Sequence, residues 1–419
     1  MINYEKLFSK NALGMKRSEI RELLKVTRRP EIISFAGGLP APELFPVEQV
    51  KEVTDYILDT EGKIALQYGP TEGDQRLKEE LVKHMEEEDL KTNIENVLVV
   101  SASQQALDLI AKVFLNRKDI VFVEEPTYVG GIQAFNSYGA RMVAVKSDEN
   151  GILPDELETT IEGLIKNGFR SQLKLIYIIP DFQNPSGITT SLERRKKLLE
   201  VAEKYDLIVI EDTPYRQLRY RGESVTPIYS LDTKDRVISL FTFSKIFAPG
   251  FRLGWIVGSK ELIEKIIMAK QAADLCTSPF TQAITYEYLK RGYLKEQIKI
   301  IKENYKEKME IMLESLEKEL PELEDLKWTK PDGGLFLWVT LPEYMDSREL
   351  FLKAIDKKVA YVVGDAFHPQ GKMKNAFRLN FSYPSPKKIR EGIKRLAEAI
   401  IEYEEEIKGR KLKDAVIFP

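Results

Sequence analysis

The sequence predicts a doubly wound α/β protein, with a large domain on a mainly parallel seven-stranded sheet and a small α+β domain after it. Three observations point there. With 419 residues the chain exceeds the size at which one core usually keeps growing. Between about residue 95 and residue 260, short apolar runs alternate with helical patterns, as repeated βα units require. After Cys276 the texture changes to long amphipathic stretches with isolated strand-like runs between them.

Taken in order, residues 1–45 read as an N-terminal segment. It holds a short helix, Arg17 to Val26, and then Phe35-Ala-Gly-Gly-Leu-Pro-Ala-Pro, too rich in Gly and Pro for helix or strand. Residues 46–290 make the predicted large domain. Its seven strands are Val97–Val100, Ile120–Val123, Met142–Val145, Leu173–Ile179, Leu207–Ile210, Val237–Phe241 and Leu253–Val257. Continuous apolar runs of this kind suit strands buried on both faces, hence a sheet covered by helices. Gln104–Leu115 and Leu192–Tyr205 carry helical periodicity between them.

A long linking helix is predicted over about Pro279–Leu320, with Leu294, Ile298, Ile301, Tyr305, Met309, Met312 and Leu316 on one stripe. The small domain, residues 291–419, then offers strand-like Gly334–Leu341, a helix near Ser347–Lys358, strand-like Phe377–Phe381 and a final helix from about Pro386.

Composition narrows the function classes. The 63 basic and 66 acidic residues are interspersed, so they read as solvated faces and give no nucleic-acid footprint. A single cysteine, Cys276, leaves no internal disulfide framework, which fits a reducing cytosol. One Cys with two His, His84 and His368, cannot assemble a Cys/His zinc site, so no metal is expected. Met1 to Lys10 lacks the apolar core of a secretory signal, and no stretch approaches the roughly 20 apolar residues of a membrane span. The expectation is a soluble, cytoplasmic protein.

The chemistry-bearing residues sit at the ends of the predicted strands, where open α/β sheets hold ligands. Val237–Phe241 runs into Thr242-Phe-Ser-Lys245, with Arg252 seven residues after the lysine. A lysine in a cationic, partly desolvated pocket can lose its proton and form a Schiff base; the plain alternative is a surface lysine. Thr242, Ser244 and Arg252 offer donors for a phosphate. Leu207–Ile210 ends in Glu-Asp212-Thr-Pro-Tyr215, where Asp212 either caps the next helix or faces a pyridine nitrogen.

Leu173–Ile179 leads into Pro180-Asp-Phe-Gln-Asn184-Pro-Ser-Gly187, a turn that can aim Asn184 into a site. The bond before Pro185 is open to cis or trans. The first strand ends in Ser101-Ala-Ser103-Gln104-Gln, equally an N-cap or an anion site at a helix N-terminus. After Ile120–Val123 comes Glu-Glu-Pro-Thr-Tyr128, whose ring either packs in the core or stacks on a planar cofactor. Singly these signals are weak. Together, five strand ends supply residue types for the phosphate, ring face, ring oxygen, ring nitrogen and aldehyde carbon of one cofactor.

The ordered set Ser-Ala-Ser-Gln-Gln, Pro-Thr-Tyr, Gln-Asn-Pro-Ser-Gly, Glu-Asp-Thr-Pro-Tyr, Thr-Phe-Ser-Lys and Phe-Arg-Leu-Gly-Trp resembles the fold-type I, pyridoxal 5′-phosphate-dependent aminotransferases. The entry Ile-Ser-Phe-Ala-Gly-Gly-Leu-Pro-Ala-Pro-Glu-Leu-Phe-Pro is similar to their 2-aminoadipate and kynurenine branch. The resemblance covers essentially the whole chain. It implies that Lys245 binds the cofactor covalently and moves the proton of the reaction, and that Asp212 pairs with the pyridine nitrogen. It further implies that Asn184 and Tyr215 contact the ring oxygen, that Tyr128 stacks on the ring, and that Ser103, Gln104, Thr242, Ser244 and Arg252 bind phosphate.

Arg378, in Phe-Arg-Leu-Asn-Phe-Ser, matches the arginine that grips the substrate carboxylate, a task suited to a bidentate guanidinium. Tyr68 resembles a tyrosine that reaches the neighbouring subunit's site, which implies a homodimer. Arg21 aligns with an arginine that meets the substrate side chain, and Gly38 lies in the segment folded over the substrate. Transamination is the implied reaction. A carbon–sulfur lyase is the runner-up, and a cofactor-sensing regulatory domain is the reading of another class. The implied donors are 2-aminoadipate, glutamate, aromatic and large aliphatic amino acids, with 2-oxoglutarate or glyoxylate as acceptor.

Overall fold

The computed structural model describes residues 2–15 and 29–417, so the helix expected over Arg17–Val26 lies outside the described residues. The seven predicted strands are present as β1 (Val97–Val100), β2 (Ile120–Glu125), β3 (Arg141–Asp148), β5 (Leu173–Ile178), β6 (Ile208–Asp212), β7 (Val237–Thr242) and β8 (Gly254–Val257). A two-residue strand, β4 (Gly151–Ile152), pairs antiparallel with the end of β3 and brings the sheet to eight strands. Two residues carry no readable period, which is why this strand was not expected. The strand order is β1-β8-β7-β6-β5-β2-β3-β4. Only β8 runs against its long neighbours, pairing antiparallel with both β1 and β7.

The apolar runs are explained by burial on both faces. Along β2, Val121 and Val123 join one core while Ile120 and Phe122 join another. The first core takes Leu107 and Ile110 from helix Ala102–Phe114 and Phe135 from helix Val129–Ser137. The second takes Leu157 and Ile161 from helix Pro154–Lys166 and Leu198 and Ala202 from helix Leu192–Lys204. Alternate residues of each strand therefore serve opposite layers.

After the main sheet the predicted single helix is two, Pro279–Lys290 and Tyr293–Glu319. Gly292 separates them at φ +75°, a left-handed conformation that stops a helix at little cost for glycine. Of the predicted stripe, Leu294, Ile301, Tyr305, Met309, Met312 and Leu316 are buried, and Ile298 is partly so. A four-stranded antiparallel sheet follows, in the order Lys327–Trp328, Phe336–Thr340, Ala376–Asn380, Val362–Val363. Helices Ser347–Asp356 and Pro386–Ile417 accompany it. Ile33–Ser34 pairs in parallel with Val359–Ala360 as a separate two-stranded sheet, and the Asn380 N–H donates to the Phe35 carbonyl at 2.8 Å, which ties the N-terminal segment to the second sheet.

In the main sheet the chain departs in opposite directions from β2, to β3 on one side and to β5 on the other. The crevice at the carboxyl ends beside such a switch is where ligands bind in open α/β sheets.

Candidate active site

That crevice contains a cavity of about 590 Å³, and the ends of β1, β2, β5, β6 and β7 each deliver predicted side chains to it. After β1, helix Ala102–Phe114 begins with Ala102 at φ +65°, held by Gln105 Oε1 accepting the Ser101 N–H at 2.7 Å. Ser103 and Gln104 line the cavity, and Gln104 Nε2 donates to the Gly130 carbonyl at 3.0 Å. Gly254 permits this approach: a Cβ there would lie 2.5 Å from Phe241 O and 3.0 Å from Ala102 Cα. After β2, Tyr128 leads into helix Val129–Ser137, and a Cβ on Gly130 would stand 2.4 Å from its ring. The bonds before Pro126 and Pro185 are both cis.

After β5, Asn184 is buried and engages both ends of its amide. Its Nδ2 donates to Tyr215 Oη at 3.2 Å, and its Oδ1 accepts from Arg378 Nη1 at 2.7 Å. At the end of β6, Asp212 is 2% exposed. Tyr177 Oη donates to Asp212 Oδ2 at 2.9 Å, while Oδ1 is buried without a partner. Burial pushes the Asp212 carboxyl up to about 7, and the Tyr177 hydrogen bond works against that rise.

After β7, Thr242 Oγ1 donates to Ser244 Oγ at 2.9 Å and accepts the Ser244 N–H at 3.1 Å. Lys245 Nζ donates to the Gly38 carbonyl at 2.7 Å. Burial, with help from Arg378 and Arg252, pulls the Lys245 ammonium down to about 8. Arg252 stands at the exposed rim with φ +50°.

Arg378 comes from the second sheet. Its guanidinium lies 4.1 Å from the Phe336 ring centroid and 5.0 Å from that of Phe367, and Nη2 donates to the Ala36 carbonyl at 2.7 Å. Its Nε is buried without a partner. Burial lowers its pKa to about 10, with Tyr215 and Tyr128 acting the other way.

The arrangement fits pyridoxal phosphate on its own chemistry. An unpartnered carboxylate oxygen suits a protonated ring nitrogen, a lysine poised near neutrality suits an aldehyde, and hydroxyls beside a helix N-terminus suit a phosphate. The model of the class I and II aminotransferases matches residues 34–396 of the chain. The chain belongs to that family.

The aminotransferase is 50% identical over 402 residues to an aromatic-amino-acid aminotransferase of Thermococcus litoralis, covering 96% of this chain and 95% of the relative. It is 40% identical over 403 residues to a 2-aminoadipate transaminase of Thermus thermophilus, covering 95% and 98%. Among solved structures, a Pyrococcus horikoshii kynurenine aminotransferase in complex with PMP superposes with a TM-score of 0.91 at 47% identity, over 96% of this chain and 98% of that one. The protein is a pyridoxal phosphate-dependent aminotransferase of fold type I.

Not every expected residue meets here. Tyr68 is outside the cavity lining and 79% exposed, and Arg21 lies outside the described residues. His84 is buried in helix Gln75–Glu86; its Nε2 lies 2.7 Å from Gln217 Nε2 and its ring packs edge-on to Trp255. His368 is buried beside the cavity, with Nδ1 accepting the Gln370 N–H and Nε2 3.4 Å from Glu125 Oε1.

Three contributors were missed: Tyr177, and the Phe336 and Phe367 pair that cradles Arg378. In the sequence Tyr177 and Phe336 are each one more aromatic in an apolar run, and Phe367 stands in the irregular stretch Ala-Phe-His-Pro-Gln-Gly. Among the described residues no group of three or more His, Cys, Asp or Glu could hold a metal, and no helix is long and apolar enough to cross a membrane.

Proposed function

We propose that this aminotransferase takes amino groups from L-amino acids with aromatic, large aliphatic or 2-aminoadipate side chains, and passes them to a 2-oxo acid such as 2-oxoglutarate or glyoxylate. The observation that carries the residue roles is the convergence of Lys245, the unpartnered Asp212 Oδ1 and the unpartnered Arg378 Nε on one cavity. When bound, pyridoxal phosphate supplies the carbonyl that takes the amino group and a ring that accepts electrons from the broken Cα–H bond.

The chain's residues do the rest. Lys245 Nζ, held near 8, exists in both protonation states close to neutral pH and so can take the α-proton and return it. Asp212 presents a negative oxygen to the ring nitrogen. Arg378 offers Nε to the substrate carboxylate, and Asn184 fixes both Arg378 and Tyr215. Tyr128 covers the ring. Ser103, Gln104, Thr242, Ser244 and Arg252 hold the phosphate.

The donor range rests on two supports. The relatives are named for aromatic amino acids and 2-aminoadipate. Beside the cofactor residues, the described lining adds Val129, Phe336 and Phe367, an apolar surface for a large side chain. An acidic side chain would rely on Arg21. The reading includes a cytoplasmic homodimer in which Tyr68 enters the neighbouring site, consistent with its exposure and that of Ile64 and Leu66 beside it. It also divides the chain into a covering segment 1–45, a cofactor domain 46–290 and a small domain 291–419.

The test is an absorbance titration of the holoprotein with single L-amino acids. The cofactor's visible band should bleach with aromatic donors and return on adding 2-oxoglutarate. A persistent band with release of ammonia or thiol overturns this reading in favour of a lyase.

A further inference from the structure

Asp212 is the residue whose charge matters most to the ring, yet one of its two oxygens is already occupied. The occupant is Tyr177, which the sequence presents as one apolar residue in the middle of a strand. Register explains the meeting. Tyr177 of β5 pairs with Ile210 of β6, and Asp212 is two residues further along β6, on the same face as Ile210. The phenol is long enough to run along that face and reach the carboxylate from the side.

The ring has no freedom to do otherwise. Tyr177 is fully buried, with Phe135 edge-on at 5.5 Å between centroids. Gly131 presses on its other flank, where a Cβ would fall 2.8 Å from Tyr177 Cε1. The paired glycines at 130 and 131 thus serve two tyrosines. One makes room for Tyr128, which lines the cavity, the other for Tyr177, which does not. Among the described residues the Tyr177 hydroxyl makes one hydrogen bond, to Asp212 Oδ2. That contact occupies Oδ2 and leaves Oδ1, buried and without a partner, on a residue that lines the cavity.

We propose that Tyr177 is a positioning residue for the cofactor, holding Asp212 in the orientation and ionised form that its pairing with the ring nitrogen requires. The proposal rests on the assignment of Asp212 to that nitrogen. A hydroxyl donating to a carboxylate stabilises the charged form and opposes the neutralisation that burial favours. The other titratable groups around Asp212 are Tyr128 from the turn after β2, Tyr215 on its own turn and Lys245 after β7. Burial pushes Tyr128, Tyr177 and Tyr215 upward, so all three stay neutral over the working range. Asp212, Lys245 and, beside Tyr177, Glu124, which burial pushes up to about 8, are left to titrate, and Asp212→Asn identifies the limb that belongs to Asp212.

Tyr177→Phe removes the hydroxyl and leaves the ring's packing intact. Cofactor affinity is measured by titrating apoprotein with pyridoxal phosphate across pH, alongside KM, kcat and melting temperature. The expected result is about tenfold weaker cofactor binding, the order expected of one hydrogen bond to a charged group. The acid limb of that affinity should move to higher pH, because Asp212 without its donor holds a proton more tightly. KM for the amino acid should stay within about twofold, since Arg378 is untouched.

Asp212→Asn and the double variant separate the two ideas. Asp212→Asn should weaken binding more, and adding Tyr177→Phe to it should change nothing further. A Tyr177→Phe protein with unaltered affinity and pH profile, or with effects that add to those of Asp212→Asn, overturns the positioning role. An Asp212→Asn protein that binds cofactor normally overturns the ring-nitrogen assignment itself.

Discussion

Asp212, Tyr128, Asn184 and Lys245 reach the cavity from the ends of strands in one sheet, whereas Gly38 and Arg378 arrive on a strap and on a strand of another. In the first group Asp212 is held from within its own sheet by Tyr177, while Asn184 and Lys245 also bond across to Arg378 and to the Gly38 carbonyl. The second depends on contacts between distant parts of the chain. The Ala41 N–H donates to Tyr305 Oη at 2.8 Å, Gln297 Nε2 to Leu44 O at 2.6 Å, Ser382 Oγ to Leu39 O at 2.8 Å and Lys308 Nζ to Glu43 at 3.0 Å. Segment 33–44 is therefore pinned to helix Tyr293–Glu319 and to the second sheet, and it meets the cofactor side through Lys245 and the Gly38 carbonyl. The cofactor side is prebuilt by β-topology; the substrate side is assembled by tertiary hydrogen bonds. Changes on the two sides should separate in cofactor affinity and in KM.

The largest effect belongs to Lys245, where the two sides touch. Lys245→Ala should lower kcat by at least about 10⁴-fold, a loss of both acid–base and covalent roles. It should still retain cofactor through the phosphate residues. Rapid-quench turnover and dialysis measure both, and full activity would end the assignment. Because burial and two arginines lower the Lys245 pKa to about 8, its neutral fraction grows as pH rises through that value. Proton abstraction should therefore rise over the same window.

Arg378→Lys comes next. A lysine cannot keep the bond to Asn184, the bond to Ala36 and a free donor in one plane, so kcat/KM should fall about 100-fold. Cofactor affinity should hold. A parallel loss of cofactor would erase the distinction between the two sides.

The same distinction explains what the sequence made legible. Strand ends were readable because β5, β6 and β7 are apolar runs broken by short polar turns, and Asn184, Asp212 and Lys245 fall in those turns. Tyr177 was not readable, since its partner is set by the register between two strands, and one sequence does not state a register. Arg378 entered through family resemblance; its aromatic cradle is set by the pairing of its strand with that of Phe336 and by the turn that carries Phe367, neither of which one sequence states. Gly292 divided a helix whose apolar stripe alone implied continuity. Helices Val47–Ala65 and Lys260–Asp274 were passed over beside the stronger strand pattern.

A glycine tests the cofactor side by itself. Gly254→Ala puts a Cβ against backbone atoms of Phe241 and Ala102, neither of which is the end of a flexible side chain. The clash should push apart β7, β8 and the start of helix Ala102–Phe114, where the residues proposed to bind phosphate stand. Cofactor affinity should fall about tenfold and stability by about 1–3 kcal/mol, the usual cost of overpacking. KM for the amino donor in cofactor-saturated enzyme should change little, as read by steady-state kinetics with excess pyridoxal phosphate.

The smallest effect is the most discriminating for the substrate side. Tyr305 is fully buried and its hydroxyl accepts the Ala41 N–H, so Tyr305→Phe leaves a strap amide without a partner while preserving the aromatic packing. An unsatisfied buried amide costs about 1–3 kcal/mol, which the strap can relieve by shifting outward to water. Gly38 lies three residues before Ala41, so that shift would loosen the roof over Lys245. KM for amino donors should rise about threefold, with kcat and pyridoxal phosphate affinity unchanged. If the variant instead weakens cofactor binding, the strap belongs to the cofactor side, and the contact between Lys245 and Gly38 carries more than the four anchors do. If neither constant moves, Gln297, Lys308 and Ser382 hold the strap without Tyr305, and removing Gln297 together with Tyr305 becomes the measurement that exposes the redundancy.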